Sequence, residues 1–324
     1  MRADVVAHSG GPEGVRPASK PRISVIIAVM HREVLSKVVA ALARQTLAGS
    51  EFEVIIADGL LSDDWGARLP EVIRATGRLL EYSFHVAPSP SRAVANNIGI
   101  AHARADVLLF DADDFALAPG ALEAHLRFHE AHPDPRAVGI GGGFFEPMLR
   151  ADPYSQWLED SGRLFGVSFT SGSGTVPPDF FYVGNASVKR TFIDQAGAFD
   201  EDFPHDAWDD YELSLRLSKR GMRATYLPDA PAMHVHAYFL EERRQSMRWA
   251  GQAAAILERK YPGPHPWQAE GRMPPWRHRA AALRARAAYL LTRRPEHREQ
   301  YYRRTIAADF ALGYRSAVSD LTGR

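Results

Sequence analysis

Asp106 to Phe115, DVLLFDADDF, is the stretch whose reading decides the fold. Its four apolar residues, Val107 to Phe110, are too few for a buried helix and suit a central strand covered on both faces. Acids that follow such a strand stand at its C-terminal edge, where open α/β sheets bind ligands. Asp111 and Asp113 leave the strand as alternate residues and can turn toward one small volume, where paired carboxylates repel each other unless a cation joins them. A divalent metal with a phosphate-bearing substrate is one reading. A polar turn closing the strand is the other, because Asp is common in turns.

Upstream, ISVIIAVM (Ile23 to Met30) reads as a buried parallel strand, followed by a helical pattern of Val34, Leu35, Val38, Val39 and Leu42. FEVIIAD, Phe52 to Asp58, is a second strand that ends in an acid. Strand, helix and strand within about 35 residues is the size of a βαβ unit with its right-handed crossover. A third strand is expected near Leu79 to Phe84, leading through Pro88 and Pro90 into a helix-like SRAVANNIGIAHARA.

Downstream, Pro119 marks a helix start, and AVGIGGGFFEP resumes as a strand whose Gly141 to Gly143 point to close backbone approach or a bend. YSQWLEDSGRLFG suits a short helix, and residues 166–178 are either a lid or a linker. WDDYELSLRLSKRG opens a helix with Asp209 and Asp210 in its first turn, where capping accounts well for one acid. After a short strand around Ala224 to Leu227, PAMHVH sets His234 and His236 on one side if extended.

With 45% hydrophobic and 24% charged residues over 324 positions, the chain is globular and long enough for a large core. Its formal net charge of zero hides an asymmetry, since residues 241–324 hold 17 Lys and Arg against 8 Asp and Glu. The absence of cysteine excludes disulfides and thiolate metal sites, so any metal must sit on oxygen or imidazole. No apolar run approaches the roughly 18 residues of a membrane span. Three segments are expected: a mobile tail over 1–20, a main domain over 21–240, and a basic helical extension over 241–324.

The pieces resemble the family 2 glycosyltransferases, whose nucleotide-binding domain has the GT-A fold. Four landmarks carry the resemblance in order over residues 21–240: the SVII strand, the IIAD strand end, the FDADD motif, and GNASVKR with FDEDF and WDDYELSLRL. The resemblance implies an α/β fold of GT-A type, a Rossmann-like mixed and mostly parallel sheet flanked by helices. It implies transfer of a sugar from a nucleotide-diphosphate sugar, with a lean toward UDP, to an acceptor hydroxyl with inversion. By the same resemblance Asp58 meets the nucleobase, Asn97 faces the nucleotide with Arg92 near the phosphates, and Asp113 touches the metal directly. Asp111 meets the ribose or a metal-bound water, Asp210 takes the base position beside Asp209, and His234, with His236 as rival, completes the metal site. The expected ion is Mn²⁺ or Mg²⁺, with imidazole ligation tilting toward Mn²⁺.

The chain departs from the family pattern in three places. AVMHRE follows the first strand where a Pro, an aromatic residue and Asn are common, ADGLLSDD follows the second, and the catalytic pair is Asp-Asp rather than Glu-Asp. A nucleotidyltransferase would carry a Gly-rich phosphate loop after its first strand, and residues 28–36 contain no glycine. A non-catalytic sugar-nucleotide or glycan-binding module is the remaining alternative. It would be expected to lose the base or a ligand, and both acidic motifs and a late His are present. The acceptor expected is a glycan, a lipid-linked molecule or a small molecule. Nucleic acid is not expected, because no nucleic-acid motif accompanies the basic charge. That charge reads either as a solvated helical face or as a peripheral contact of a cytoplasmic protein with acidic lipid.

Overall fold

Ile23–Val29 and Phe52–Asp58 are each seven residues long and buried at every position, as strands covered on both faces must be. In the computed structural model, which describes residues 8–9, 20–62, 64–78, 80–164, 176–177, 181–203 and 205–322, they lie at the centre of a mixed sheet. Its strands are β1 (His8–Ser9), β2 (Ile23–Val29), β3 (Phe52–Asp58), β4 (Glu81–Val86) and β5 (Val107–Ala112). They continue with β6 (Phe115–Leu117), β7 (Ala137–Phe145), β8 (Asn185–Lys189) and β9 (Arg223–His234). The order across the sheet is β1-β4-β3-β2-β5-β8-β7-β9-β6.

β4, β3, β2 and β5 run parallel, so their C-terminal ends share one edge: Val29 lies beside Asp58, Asp58 beside Val86, and Ala28 beside Ala112. β8 returns antiparallel and brings Asn185 beside Asp111. β9 runs parallel to β7, and its last residue, His234, pairs with Phe115 of the short antiparallel β6. The acids that leave β3 and β5 and the histidine that ends β9 are therefore all products of strand ends.

Two strands differ from expectation. β4 begins at Glu81 rather than near 79, and β9 runs twelve residues to His234 instead of stopping near Leu227. Pro228 and Pro231 argue against a continuous strand, but the β7–β9 register shifts between Gly141 and Gly143 and absorbs them. A Cβ at Gly141 would lie 2.3 Å from the Ala230 carbonyl oxygen and 2.2 Å from Asn185 Nδ2, so only glycine lets the strands approach here.

The sheet is flanked by α1 (Leu35–Ala43), α2 (Asp64–Ala75), α3 (Arg92–His102), α4 (Ala121–Ala131), α5 (Pro147–Arg150), α7 (Arg190–Ala196) and α8 (Asp209–Lys219), and α6 (Pro153–Asp160) follows α5 along the chain. Ser91 caps α3, its Oγ accepting from Val94 N at 3.4 Å. Gly99 presses α3 onto β2, since a Cβ there would meet Ile26 Cγ2 at 2.2 Å. In the same core, Phe110, beside Ile26 in the sheet, meets Phe199 edge to face with ring centroids 5.2 Å apart, among Phe192 and Leu213.

The chain divides into two compact units, one of residues 1–151, 158–201 and 209–236, the other of residues 152–157, 202–208 and 237–324. The second is helical: α9 (Leu240–Lys260), α10 (Gln268–Arg272), α11 (Pro275–Thr292) and α12 (Pro295–Thr322). All four lie within the stretch expected to be helical, and α10, five residues long, is too short to show a period. α9 and α12 cross at two glycines: a Cβ at Gly251 would sit 2.1 Å from Phe310 O, and one at Gly313 2.0 Å from Arg248 O. Asp309, buried in α12, accepts from Arg244 Nε at 2.7 Å and Arg248 Nε at 2.9 Å. No described helix is long and apolar enough to cross a membrane. The stretch 166–178 lies outside the described residues apart from 176 and 177, as does the segment 1–20 apart from 8, 9 and 20.

Candidate active site

The FDADD turn buries three carboxylates in four residues, Asp111, Asp113 and Asp114 each being no more than 5% exposed. Asp113 is tied to the end of β2: its Oδ2 accepts from Met30 N at 2.6 Å and from His31 N, and its Oδ1 lies 3.4 Å from His31 Nδ1. Asp114 faces β9, with Oδ2 at 2.9 Å from His234 Nε2 and its carbonyl accepting from Val235 N. One ligand atom each from His31, Asp113 and Asp114 lies within 4.8 Å of the other two, which is the spacing of a metal-binding group. The His236 ring stands 5.0 Å from that of His31 and 6.3 Å from that of His234. Phe115 and Phe145 pack edge-on against His234 and fix its plane.

Neither oxygen of Asp111 meets a hydrogen-bond donor among the described residues. Burial, then the charges of Asp114 and Asp113, push its carboxyl well above the usual carboxylate range. At Asp113, burial also raises the carboxyl, against the hydrogen bond and charge of His31. Burial works the same way on Asp114 but is outweighed by His234, His31 and His236, which leave it at about 2. A buried, unpartnered carboxylate beside two others and an imidazole is a donor set suited to a divalent cation.

Along the same edge, Asp58 Oδ1 accepts from Leu60 N at 2.7 Å, and Gly59 N donates to Val29 O. A Cβ at Gly59 would meet Met30 Sδ at 2.7 Å and Ser91 O at 3.3 Å. The loops after β2, β3 and β4 are thus stitched together where the nucleobase is expected.

Arg92, expected near phosphate, reaches the other acidic motif. Its Nε lies 3.1 Å from both carboxylate oxygens of Asp209, and its Nη2 lies 3.3 Å from Asp210 Oδ1. Asp209 is buried, and burial lifts its carboxyl, with Arg92 pulling it down and Asp210 pushing it up. The Asp210 side chain is 18% exposed. Two residues just before this helix, His205 and Trp208, hold left-handed backbone at φ 64° and 65°, a strained conformation for bulky side chains. Asn97, expected to face the nucleotide, is committed to the protein: its Nδ2 donates to Phe199 O at 2.9 Å and Glu201 Oε1 at 2.8 Å, and its Oδ1 accepts from Phe199 N at 2.8 Å.

Sequence reasoning missed His31 and Asp114, both adjacent to residues it singled out. It also missed a polar chain beneath the sheet. His129 Nε2 lies 2.9 Å from Ser187 Oγ, which lies 2.8 Å from His125 Nδ1, and His125 Nε2 lies 2.9 Å from Asn185 Oδ1. Asn185 Nδ2 then donates to Ala230 O at 2.8 Å. The chain braces β8 and β9 immediately beside Asp111. Its only sequence signal is two histidines one helical turn apart on a helix that is otherwise apolar on that face.

Two family profiles match this chain, Glycosyl transferase family 2 over residues 24–183 and Glycosyl transferase family group 2 over residues 107–314. The chain belongs to glycosyltransferase family 2. Validoxylamine A glucosyltransferase of Streptomyces hygroscopicus subsp. limoneus is 27% identical over 229 residues, covering 63% of this chain and 49% of that protein. The hyaluronan synthase of Pasteurella multocida is 24% identical over 240 residues, 64% of this chain and 24% of that enzyme. The chain spans about half the length of the validoxylamine glucosyltransferases it matches. Among solved structures, the mannosyltransferase PcManGT of Pyrobaculum calidifontis, in complex with GDP-Man and Mn²⁺, superposes with a TM-score of 0.57 at 18% identity, over 97% of this chain and 91% of that one. S. aureus TarS 1-349 in complex with UDP-GlcNAc gives 0.52 at 15% identity, over 94% and 92%. These likenesses show the GT-A fold.

Proposed function

We propose that this family 2 member is an inverting, metal-dependent transferase that moves a sugar from a nucleotide-diphosphate sugar to an acceptor hydroxyl on a glycan, a lipid-linked molecule or a small molecule. The observation that carries the reading is Asp111, a buried carboxylate without a hydrogen-bond donor beside the His31, Asp113 and Asp114 group at the C-terminal edge of the parallel strands. A divalent ion, Mn²⁺ or Mg²⁺, would be held by Asp113 with His31, Asp114 or His234 at hand, and Asp111 would meet it directly, through water or through the ribose. When bound, the ion neutralises charge on the departing diphosphate.

The chain's own residues supply the rest. Asp58 and the stitched loops around Gly59 hold the nucleobase. Asp210 takes the proton from the acceptor hydroxyl as that oxygen attacks the anomeric carbon from the face opposite the diphosphate. Asp209 and Arg92 fix the start of α8 and so the direction in which Asp210 points. UDP is the first nucleotide to test. PcManGT was captured with GDP-Man and TarS with UDP-GlcNAc, so the fold accepts either base.

Calorimetric titration with UDP- and GDP-sugars, with and without Mn²⁺ or Mg²⁺, tests the proposal. One donor class should bind in the presence of metal and turn over on addition of acceptor. Absence of metal-dependent binding by every nucleotide sugar tried would overturn it, and binding without turnover against any acceptor would favour a binding module.

A further inference from the structure

α11 has two apolar faces where a surface helix needs one. At about 100° per residue, His278, Ala282 and Ala285 form a buried side, and the helix packs on α12. Diametrically opposite stand Trp276, Leu283 and Leu290 at intervals of seven, with Leu291 beside the last. These four are 65%, 64%, 54% and 85% exposed. Single exposed leucines are ordinary, but four large apolar side chains on one helical face are not.

Two rows of arginine separate the faces. Arg279 and Arg286 line one flank and Arg277 and Arg284 the other, again at intervals of seven, and Arg293 follows as the left-handed C-cap of the helix. All five are exposed, and α11 itself contains no Asp or Glu. Among the described residues none of the five forms an ion pair, whereas Arg244 and Arg248 are satisfied by Asp309 and Arg272 by Glu258. Part of the positive charge of the carboxy-terminal segment that no carboxylate answers therefore brackets the exposed leucines.

Charge selects the occupant. A second copy presenting the same face would set arginine against arginine, whereas a bilayer rich in acidic headgroups offers each guanidinium a phosphate and takes Trp and Leu at the acyl boundary. The arginine stems are long enough to lie along the apolar strip while their heads stay at the headgroups. We infer that the outer face of α11 docks on an anionic membrane surface, with the helix lying in the plane of the interface and Trp276, Leu283, Leu290 and Leu291 inserted. The inference is independent of the transferase reading and concerns a different unit of the chain.

The test is sedimentation of the full chain with vesicles of phosphatidylcholine alone or with added phosphatidylglycerol. At low salt the protein pellets with the anionic vesicles and stays in solution with the neutral ones. Binding falls as salt rises toward 1 M, where the screening length shrinks to about 3 Å. The double variant Leu283→Ser, Leu290→Ser lowers the partition coefficient by about ten-fold or more with an unchanged circular dichroism melt, because both side chains lie outside the packing. Lack of binding to anionic vesicles at low salt, equal binding to neutral ones, or binding that survives the double variant overturns the inference. So does a wild-type dimer in sedimentation equilibrium that the double variant dissociates, which would give the face to a second copy.

Discussion

Arg92 at the start of α3 grips Asp209 at the start of α8, 117 residues later, with its Nε 3.1 Å from each carboxylate oxygen. The same guanidinium touches Asp210 at 3.3 Å, so one cation serves two adjacent acids of unequal exposure. Asp209 is enclosed by the fold, whereas the Asp210 side chain keeps 18% of its surface exposed.

This division separates the two acids by experiment. Asp210→Asn should lower turnover by about 10²- to 10⁴-fold with little change in donor affinity or unfolding midpoint. Asp209→Asn should instead cost about 3 kcal/mol of stability, because it removes the nearer, buried carboxylate that answers the Arg92 guanidinium. Urea melts alongside steady-state turnover read both, and the opposite ranking would assign the base to Asp209. NMR of the first-formed product should show the anomeric configuration inverted.

Asp113→Asn keeps an acceptor for the Met30 and His31 amides and removes a charge from the metal group. Mn²⁺ binding, followed by loss of the free-ion electron paramagnetic resonance signal, should weaken by at least about ten-fold, the usual lower bound for disturbing a metal's surroundings. Metal-dependent UDP affinity should fall with it. An unchanged Mn²⁺ isotherm would remove Asp113 from the site.

The polar chain beneath β8 makes stability sensitive to mild acid. Burial lowers His125 to about 4 and His129 to about 3, below the 6.5 of an exposed imidazole. Both are neutral in the folded chain, so the unfolded chain takes up more protons once the pH drops below about 6.5. Stability is full above that pH and is lost on acidification toward the folded values. Between pH 6.5 and 5 each histidine should cost on the order of 2 kcal/mol. Chemical denaturation at the two pH values measures the slope, and His129→Gln should remove that residue's share of it, on the order of 2 kcal/mol over the interval. A slope unchanged in that variant would refute the assignment.

In the helical unit, Gly313→Ala places a methyl against the Arg248 carbonyl, which backbone cannot yield easily. The expected cost is roughly 3 kcal/mol, seen as a lowered thermal midpoint. A control such as Ala281→Gly, on the half-buried part of α11, should cost only about 1 kcal/mol.

The strands and their acidic ends were legible because short, dense apolar runs such as Val25 to Met30 and Val107 to Phe110 have few other uses, and the runs of β3 and β5 end in Asp. β9 was misread because prolines are punctuation in one dimension, while in three a register shift across Gly141 and Gly143 absorbs them. His31 and Asp114 were illegible as partners because their proximity depends on β5 lying beside β2 and β6 on β9, pairings that no local period encodes. The net charge of the tail was legible and its distribution was not, since pairing by Asp309 and Glu258 is decided only when the helices cross.

Asn97 exchanges two hydrogen bonds with the backbone of Phe199, as a neighbouring strand would, across 102 residues of chain. During synthesis at about 5–20 residues per second, the asparagine waits on the order of 5–20 s for its partner to be made. The parallel strands that carry Asp58 and Asp111 can pair in that interval, whereas the loop ahead of Asp210 can dock only afterwards. Closing so long a loop costs about 4 kcal/mol of chain entropy, and Asn97 is one of the residues that offset it. In the proposed reading, the half of the site that would grip the donor is therefore the older half in the life of every molecule, and the half that would carry the base is assembled onto it.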